Sequence, residues 1–283
     1  MDDANTWHSN ERLSTEYYQQ DRFNKDLWFR VANRDYTELI EAFNFSELLS
    51  RDHSPVELLD VGCGTGKFPS MLSAHLSPSH HIEYDYLDPS THSLNELQKA
   101  LVSPFTPRTA YHTTFEALER SDCPPQGYHL IWCLQSLYCM PREALQDIAE
   151  KLFALLNPDN GRALIYLASA DAWYHRLFHL YNQQFYPHSR LPYITAENIT
   201  RTLENLNIRH EVKKFHFSHT IRVSEPEVLS NYVNQCVLDE KASNNCQNNR
   251  IMRNFLESFR RGEDYQFPQQ MWLIIFGATA QVP

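Results

Sequence analysis

Glycine is scarce in this chain, seven residues in 283, yet three of them stand in the five positions from Gly62 to Gly66. Residues without a Cβ let a backbone pass through left-handed conformations and let another group approach the main chain closely. Just before them, Val56-Glu57-Leu58-Leu59-Asp60-Val61 reads as a short buried strand, and after them Phe68 to Leu76 reads as a helix whose first turn accepts Pro69. A strand, a glycine turn and a helix in that order predict the opening unit of a parallel sheet.

The pattern then repeats. Ile82 to Leu87 reads as a second strand and Ser90 to Val102 as a helix whose start is marked by Asp88-Pro89-Ser90. A further strand is predicted at His129 to Leu134, a helix at Arg142 to Leu156, a turn at Asn157 to Gly161 and a strand at Ala163 to Leu167, so that residues 56 to 167 form a doubly wound α/β core. Beyond it, Thr195 to Leu206 reads as a helix, Val212 to Val223 as a strand and Met271 to Gly277 as a buried strand. Residues 1–50 and about 225–262 fall outside the alternation, which predicts an N-terminal helical lid and a substrate-cap insertion in a domain spanning 51–283. Within the cap, the polar run Lys241 to Asn249 reads as a mobile loop.

Composition narrows the partners. Apolar residues make up 42% and charged residues 21%, which excludes disorder over most of the chain. The formal charge of -10, with no long basic run, argues against a nucleic-acid substrate. Apolar runs such as Trp272 to Phe276 are far too short for a bilayer core of ~30 Å, and the polar, acidic start lacks a secretory pattern, so no membrane span and a cytoplasmic location are expected. Six cysteines without a CxxC pair, and no HxxxH or HExxH, point to no metal site and no disulfide framework. The oligomeric state is open, with a monomer favoured.

The glycine turn admits three nucleotide-site patterns, and spacing separates them. A phosphate-binding P-loop needs glycine at 61 and a hydroxyl at 68, where Val61 and Phe68 stand; a dinucleotide GxGxxG begun at Gly62 needs glycine at 67, where Lys67 stands. What remains is DxGxGxG from Asp60, with no phosphate-binding hydroxyl behind it, which suits a nucleoside carrying a cation better than a polyphosphate. A tight turn that binds nothing is the competing reading. An acidic residue ending the second strand could accept hydrogen bonds from both ribose hydroxyls. Asp88, 22 positions beyond Gly66, is the first candidate, with helix capping as its other role, and Asp85 is the second.

Leu58-Leu59-Asp60-Val61-Gly62-Cys63-Gly64-Thr65-Gly66 resembles the first motif of the class I S-adenosylmethionine-dependent methyltransferases. The resemblance implies a Rossmann-like fold with a seven-stranded, mostly parallel sheet and an antiparallel last strand, and S-adenosylmethionine as cofactor. It implies cofactor contacts from Asp60, Gly62, Gly64 and Gly66, from Asp88, Pro89 and Ser90, and from Thr114, Leu134 and Gln135 around the adenine. Over roughly 56 to 223 and again in the last strand, the chain is most similar to histamine N-methyltransferase-like small-molecule methyltransferases. That similarity rests on Leu87-Asp88-Pro89-Ser90, Leu134 to Cys139, Ala170-Asp171-Ala172-Trp173 and Tyr193 to Thr200. It implies that Gln135 and Trp173 line the acceptor pocket. Gln269 stands where that family has an asparagine that reads the amine.

The expectation is therefore an enzyme that moves a methyl group to nitrogen or oxygen of a small metabolite, an amine favoured. A carboxyl O-methyltransferase and a non-catalytic cofactor-binding protein are the alternatives. Gln135, Trp173 and Gln269 are expected to position the acceptor, with Tyr17, Tyr18, Phe23, Tyr138 and Phe178 as aromatic and phenolic lining suited to cations and flat ligands. His112, His129, His175 and His179 are candidate bases, each with an ordinary surface or core role as the alternative.

Overall fold

The computed structural model describes residues 10–18, 24–49, 55–187 and 189–277. The chain begins with helices α1 (Asn10–Tyr17), α2 (Lys25–Ala42) and α3 (Phe45–Leu49). Strand β1 (Val56–Val61) then leads to α4 (Lys67–Ser73), β2 (Ile82–Leu87), α5 (Thr91–Ala100), β3 (Phe105–Tyr111), β4 (Leu130–Leu134), α6 (Leu145–Leu155) and β5 (Arg162–Ala168). After α7 (Trp173–Phe185), α8 (Ala196–Asn205) and β6 (His210–Arg222) come α9 (Pro226–Val237), α10 (Ala242–Asn248), α11 (Arg250–Glu257), β7 (Arg260–Arg261) and β8 (Asp264–Gly277). The described residues divide into two compact units. A sheet unit takes Tyr36–Leu167, Ile194–Lys214 and the chain from Trp272 onward; a second unit takes the residues up to Asp35, Ala168–Tyr193 and Phe215–Met271.

The sheet runs in the order β3-β2-β1-β4-β5-β8-β6, with the two-residue β7 paired to β8. The β1–β2, β1–β4, β2–β3 and β4–β5 pairs are parallel and the C-terminal strands antiparallel, as expected. The inner strands are continuous apolar runs because both of their faces are covered. On one face Leu59, Val61, Ile131, Cys133, Ile165 and Leu167 pack with Ile148 and Leu152 of α6 and Ile199 and Leu203 of α8. In the sheet unit the rings of Phe45, Phe68 and Trp132 meet edge to face, at 5.4 Å for Phe45–Phe68 and 5.2 Å for Phe68–Trp132. Strand β3 lacks an apolar pattern and carries Pro107, which an edge strand tolerates. Its Arg108 reaches across to β2 and grips Asp85 with two hydrogen bonds of 2.9 and 2.6 Å.

In the second unit the expectation of a mobile loop over Lys241 to Asn249 is corrected: Ala242–Asn248 is helix α10. Ala242 and Cys246 are fully buried, Asn245 donates to the Tyr181 hydroxyl at 2.7 Å, and Asn249 caps α11 by accepting from Ile251 and Met252. Asn244, Gln247 and Asn248 face outward, while Ala242, Ser243 and Cys246 form the buried side that makes the segment a helix. β8 starts at Asp264, seven residues before the predicted strand, because Tyr265, Phe267, Gln269 and Met271 alternate inward. No helix of the described residues is long and apolar enough to cross a membrane.

Candidate functional site

Strands β1 and β4 flank the point at which the strand order reverses, where open α/β sheets carry their ligand crevice outside the carboxyl ends of the strands. The glycine turn follows β1 there. Gly62 has φ 71°, and a Cβ on it would stand 2.4 Å from Ser136 Cβ, so the turns after β1 and β4 meet too closely for any side chain. Gly64 has φ 52°, and a Cβ there would meet nothing within 4 Å among the described residues. Gly66 is the residue at which α4 begins. The Gly62 and Cys63 amides donate to Leu87 O at 2.8 and 3.0 Å and fasten the turn to the end of β2.

Asp88 lies beside this turn. Its Oδ2 accepts from Gly64 N at 3.0 Å and its Oδ1 from Ser90 N at 2.8 Å. The cap of α5 is Ser90, whose Oγ accepts from Ser93 N, so helix capping is not the task of Asp88. Asp85 is 1% exposed and committed inside the sheet, accepting from Arg108, from Thr109 N at 3.0 Å and from the Tyr128 hydroxyl at 2.8 Å. Of the two candidates, only Asp88 stands at the glycine turn. Pro89 presents its carbonyl to His112 Nε2 at 3.0 Å.

The field at the turn is acidic and poorly hydrated. Asp60 is buried, and that burial pushes its carboxyl up to about 7, while the hydroxyl of Tyr84, which donates to it, pulls the other way. Burial also raises Asp88, against the amides of Ser90 and Gly64, and holds the Cys63 thiol well above its usual range, with Asp60 and Asp88 adding to the effect. A ligand bringing positive charge to this turn would favour both carboxylates in their ionised form.

At the end of β4, Leu134 is buried and Gln135 takes the left-handed φ of 58° while its amide donates to Tyr166 O at 2.8 Å. A non-glycine residue in that region is uncommon, and such residues cluster at ligand sites. Next to it the Ser136 hydroxyl is buried without a hydrogen-bond partner among the described residues. Thr114 is half-buried, its carbonyl accepting from Ala117 N, and the Tyr138 carbonyl accepts from Ile194 N.

The expected acceptor residues divide between the units. Gln135 belongs to the sheet unit; Trp173 and Gln269 belong to the second and are brought together there by Tyr232. Trp173, fully buried, stacks on Tyr232 at 5.4 Å and lies 4.0 Å from Phe267, ring centre to ring centre. Gln269 Nε2 donates to the Tyr232 hydroxyl at 3.1 Å, and its Oε1 is buried without a partner among the described residues. Phe178 instead stacks on Tyr193 at 3.6 Å, and Tyr17 makes an edge contact with Tyr18 at 6.1 Å. Phe23 lies outside the described residues.

The four candidate histidines make other contacts: His129 Nδ1 accepts from Glu57 N, His112 sits against Thr91 and Pro89, and His179 against Gln183. Burial pushes the His175 imidazole down to about 3, which keeps it neutral. His219, Asp35 and Tyr232, which join Gln269 in one hydrogen-bonded chain, escape a motif search. The one signal is that His219 falls in phase with the inward Phe215 and Ile221 of β6.

Residues 59–163 match the family model described as methyltransferase domain. No curated protein matches the chain. Among solved structures it is similar to a SAM-dependent methyltransferase from Leishmania major, at 13% identity over 94% of this chain and 82% of that one, with a TM-score of 0.53. It is also similar to the cyclopropane synthase MmaA2 from Mycobacterium tuberculosis, at 13% identity over 97% and 100% and a TM-score of 0.51. A third is the magnesium protoporphyrin IX methyltransferase from Synechocystis with bound SAH, at 11% identity over 94% and 99% and a TM-score of 0.50. The likeness is one of fold, and the expected Rossmann-like fold, enzyme class and cofactor are borne out. The glycine turn fits that cofactor: among the described residues the space over Gly64 is open, and Asp88 lies beside it.

Proposed function

We propose that the chain is a class I S-adenosylmethionine-dependent methyltransferase, a reading supported by the methyltransferase-domain match over residues 59–163, and that it methylates the nitrogen of a small amine metabolite. The observation that carries this reading is the Oε1 of Gln269, 3% exposed and without a partner among the described residues, on the side chain that joins Tyr232 beside Trp173 and Phe267. A buried carbonyl oxygen without a donor costs free energy on the order of 1–3 kcal/mol, and an N–H of the acceptor supplies what it lacks. Aromatic faces attract an ammonium, and the net charge of -10 draws cations from solution.

In this reading Asp60, Gly62, Gly64, Gly66, Asp88, Pro89 and Ser90 hold the cofactor, with Thr114, Leu134 and Gln135 about its base. When bound, the cofactor supplies a methyl group already activated by its sulfonium. The protein's part is alignment, exclusion of water and removal of the acceptor's proton. Trp173 and Gln269 position the acceptor, with Tyr17, Tyr18 and Phe178 of the same unit contributing lining. The enzyme works in the cytoplasm on small molecules.

The test is transfer of labelled methyl from S-adenosylmethionine to a panel of histamine, other aromatic amines, amino acids and small carboxylic acids, followed by mild alkali. Alkali-stable label on an amine is the expected result. Label released as methanol means a carboxyl ester and overturns the amine reading, and silence with intact cofactor binding favours a non-catalytic protein.

A further inference from the structure

Four buried side chains of the second unit form one unbroken hydrogen-bonded chain. Gln269 Nε2 lies 3.1 Å from the Tyr232 hydroxyl, that hydroxyl 2.6 Å from His219 Nδ1, and His219 Nε2 3.1 Å from Asp35 Oδ1. Asp35, His219, Tyr232 and Gln269 are 5, 3, 1 and 3% exposed.

Simple donor and acceptor rules set the direction of each bond. The carboxylate of Asp35 can only accept, so His219 donates from Nε2, and in the neutral imidazole this leaves a lone pair on Nδ1. That lone pair accepts the Tyr232 hydroxyl proton, and the phenol oxygen accepts in turn from the Gln269 amide. A second contact of the Gln269 NH2 group, with Phe267 O at 3.4 Å, fixes which way the amide points. The Tyr232 ring is held by stacking on Trp28 at 5.6 Å and on Trp173 at 5.4 Å. The arrangement is a basic imidazole lone pair, oriented by a carboxylate, reached through one hydroxyl of fixed position.

We propose that Tyr232, backed by His219 and Asp35, takes up the proton that the methyl acceptor sheds. The inference rests on the reading that the acceptor is an amine. An N–H bond of the acceptor ammonium breaks, its electron pair stays on nitrogen as the nucleophile, and the proton joins the Tyr232 oxygen. The proton that Tyr232 already carried passes to His219 Nδ1, and the resulting imidazolium is held by the Asp35 carboxylate. The phenol is neutral before and after, so no tyrosinate is needed. This agrees with burial, which with Cys236 and Asp35 keeps the phenol well above its usual range. Among the described residues Cys236 of α9 and Tyr174 of α7 also face Tyr232; the Cys236 thiol is itself pushed well up by burial and stays protonated. Tyr232 is the residue assigned to the proton transfer; His219 and Asp35 act through it as positioning residues.

The test uses the full chain, the amine found active in the panel, and Tyr232→Phe, which keeps the ring and its stacking. The expected result is a fall in kcat of about 10²–10³-fold with unchanged S-adenosylhomocysteine affinity. The rate of the variant should climb with pH in step with the unprotonated fraction of the amine, where the wild type levels off. Independently of turnover, ¹⁵N NMR of histidine-labelled protein, with His219 assigned by its loss in His219→Gln, should show the proton on Nε2. A kcat within threefold of wild type with the same pH profile, or a proton on Nδ1 of His219, overturns the inference and leaves the amine reading standing. Wild-type protein that binds cofactor yet methylates no amine overturns the amine reading and this inference with it.

Discussion

Gly62 and Gly64 sit two residues apart in one turn, both at positive φ, yet they answer to different demands. At Gly62 an alanine first incurs the left-handed conformation, about 1–2 kcal/mol. It then places its methyl 2.4 Å from Ser136 Cβ, where unstrained carbons stand about 3.5–4.0 Å apart, and overpacking of this kind adds about 1–3 kcal/mol. Gly62→Ala should therefore lose about 2–5 kcal/mol of stability. Gly64→Ala incurs the conformational cost alone, about 1–2 kcal/mol, since nothing lies within 4 Å of its methyl. That methyl enters the open space assigned to the cofactor and should weaken S-adenosylhomocysteine by tenfold or more, about 1.4 kcal/mol. Urea unfolding gives the first quantity and titration calorimetry the second. Equal destabilisation by the two variants would refute the packing argument. Wild-type affinity in Gly64→Ala would refute the placement of the cofactor.

The two acidic residues at and near the end of β2 should separate in the same assays. Asp88→Ala should weaken S-adenosylhomocysteine by about 1.5–3 kcal/mol at little cost in stability, whereas Asp85→Ala, which strands Tyr128 and Arg108, should cost about 2–3 kcal/mol in stability and leave affinity within twofold. Wild-type affinity in Asp88→Ala would remove that residue from the site. Asp60 predicts a pH dependence. Its folded-state carboxyl is raised from 3.8 to about 7, so its contribution is complete below about 4 and is lost as pH rises through about 7. The urea midpoint of the cofactor-free protein should fall across that window, and Asp60→Asn should flatten the fall; parallel profiles would show that Asp60 is not the group responsible.

The strands of the parallel core were legible because each is a short apolar run followed by a turn signal, and β1, β2, β4 and β5 all lie where those runs predict. That Asp88 stands at the glycine turn was legible from its place after β2, whereas only the Arg108 contacts show Asp85 held inside the sheet. Strand β3 was not, because an edge strand with Pro107 and exposed positions carries little pattern. Helix α10 was misread because its buried side is made of small residues, Ala242, Ser243 and Cys246, which carry little apolar signal among the polar letters around them.

What the sequence by itself determined was the βα turn: three glycines at fixed spacing between an apolar strand and a helix are a local matter, settled by the steric freedom of the residues themselves. Asp35, His219, Tyr232 and Gln269 belong to the other kind. Asp35 and His219 stand 184 positions apart, and none of the four has a neighbour in the chain that reveals its partner. Only tertiary structure decided that they meet, because a hydrogen bond buried away from water depends on distances that packing sets and sequence order does not.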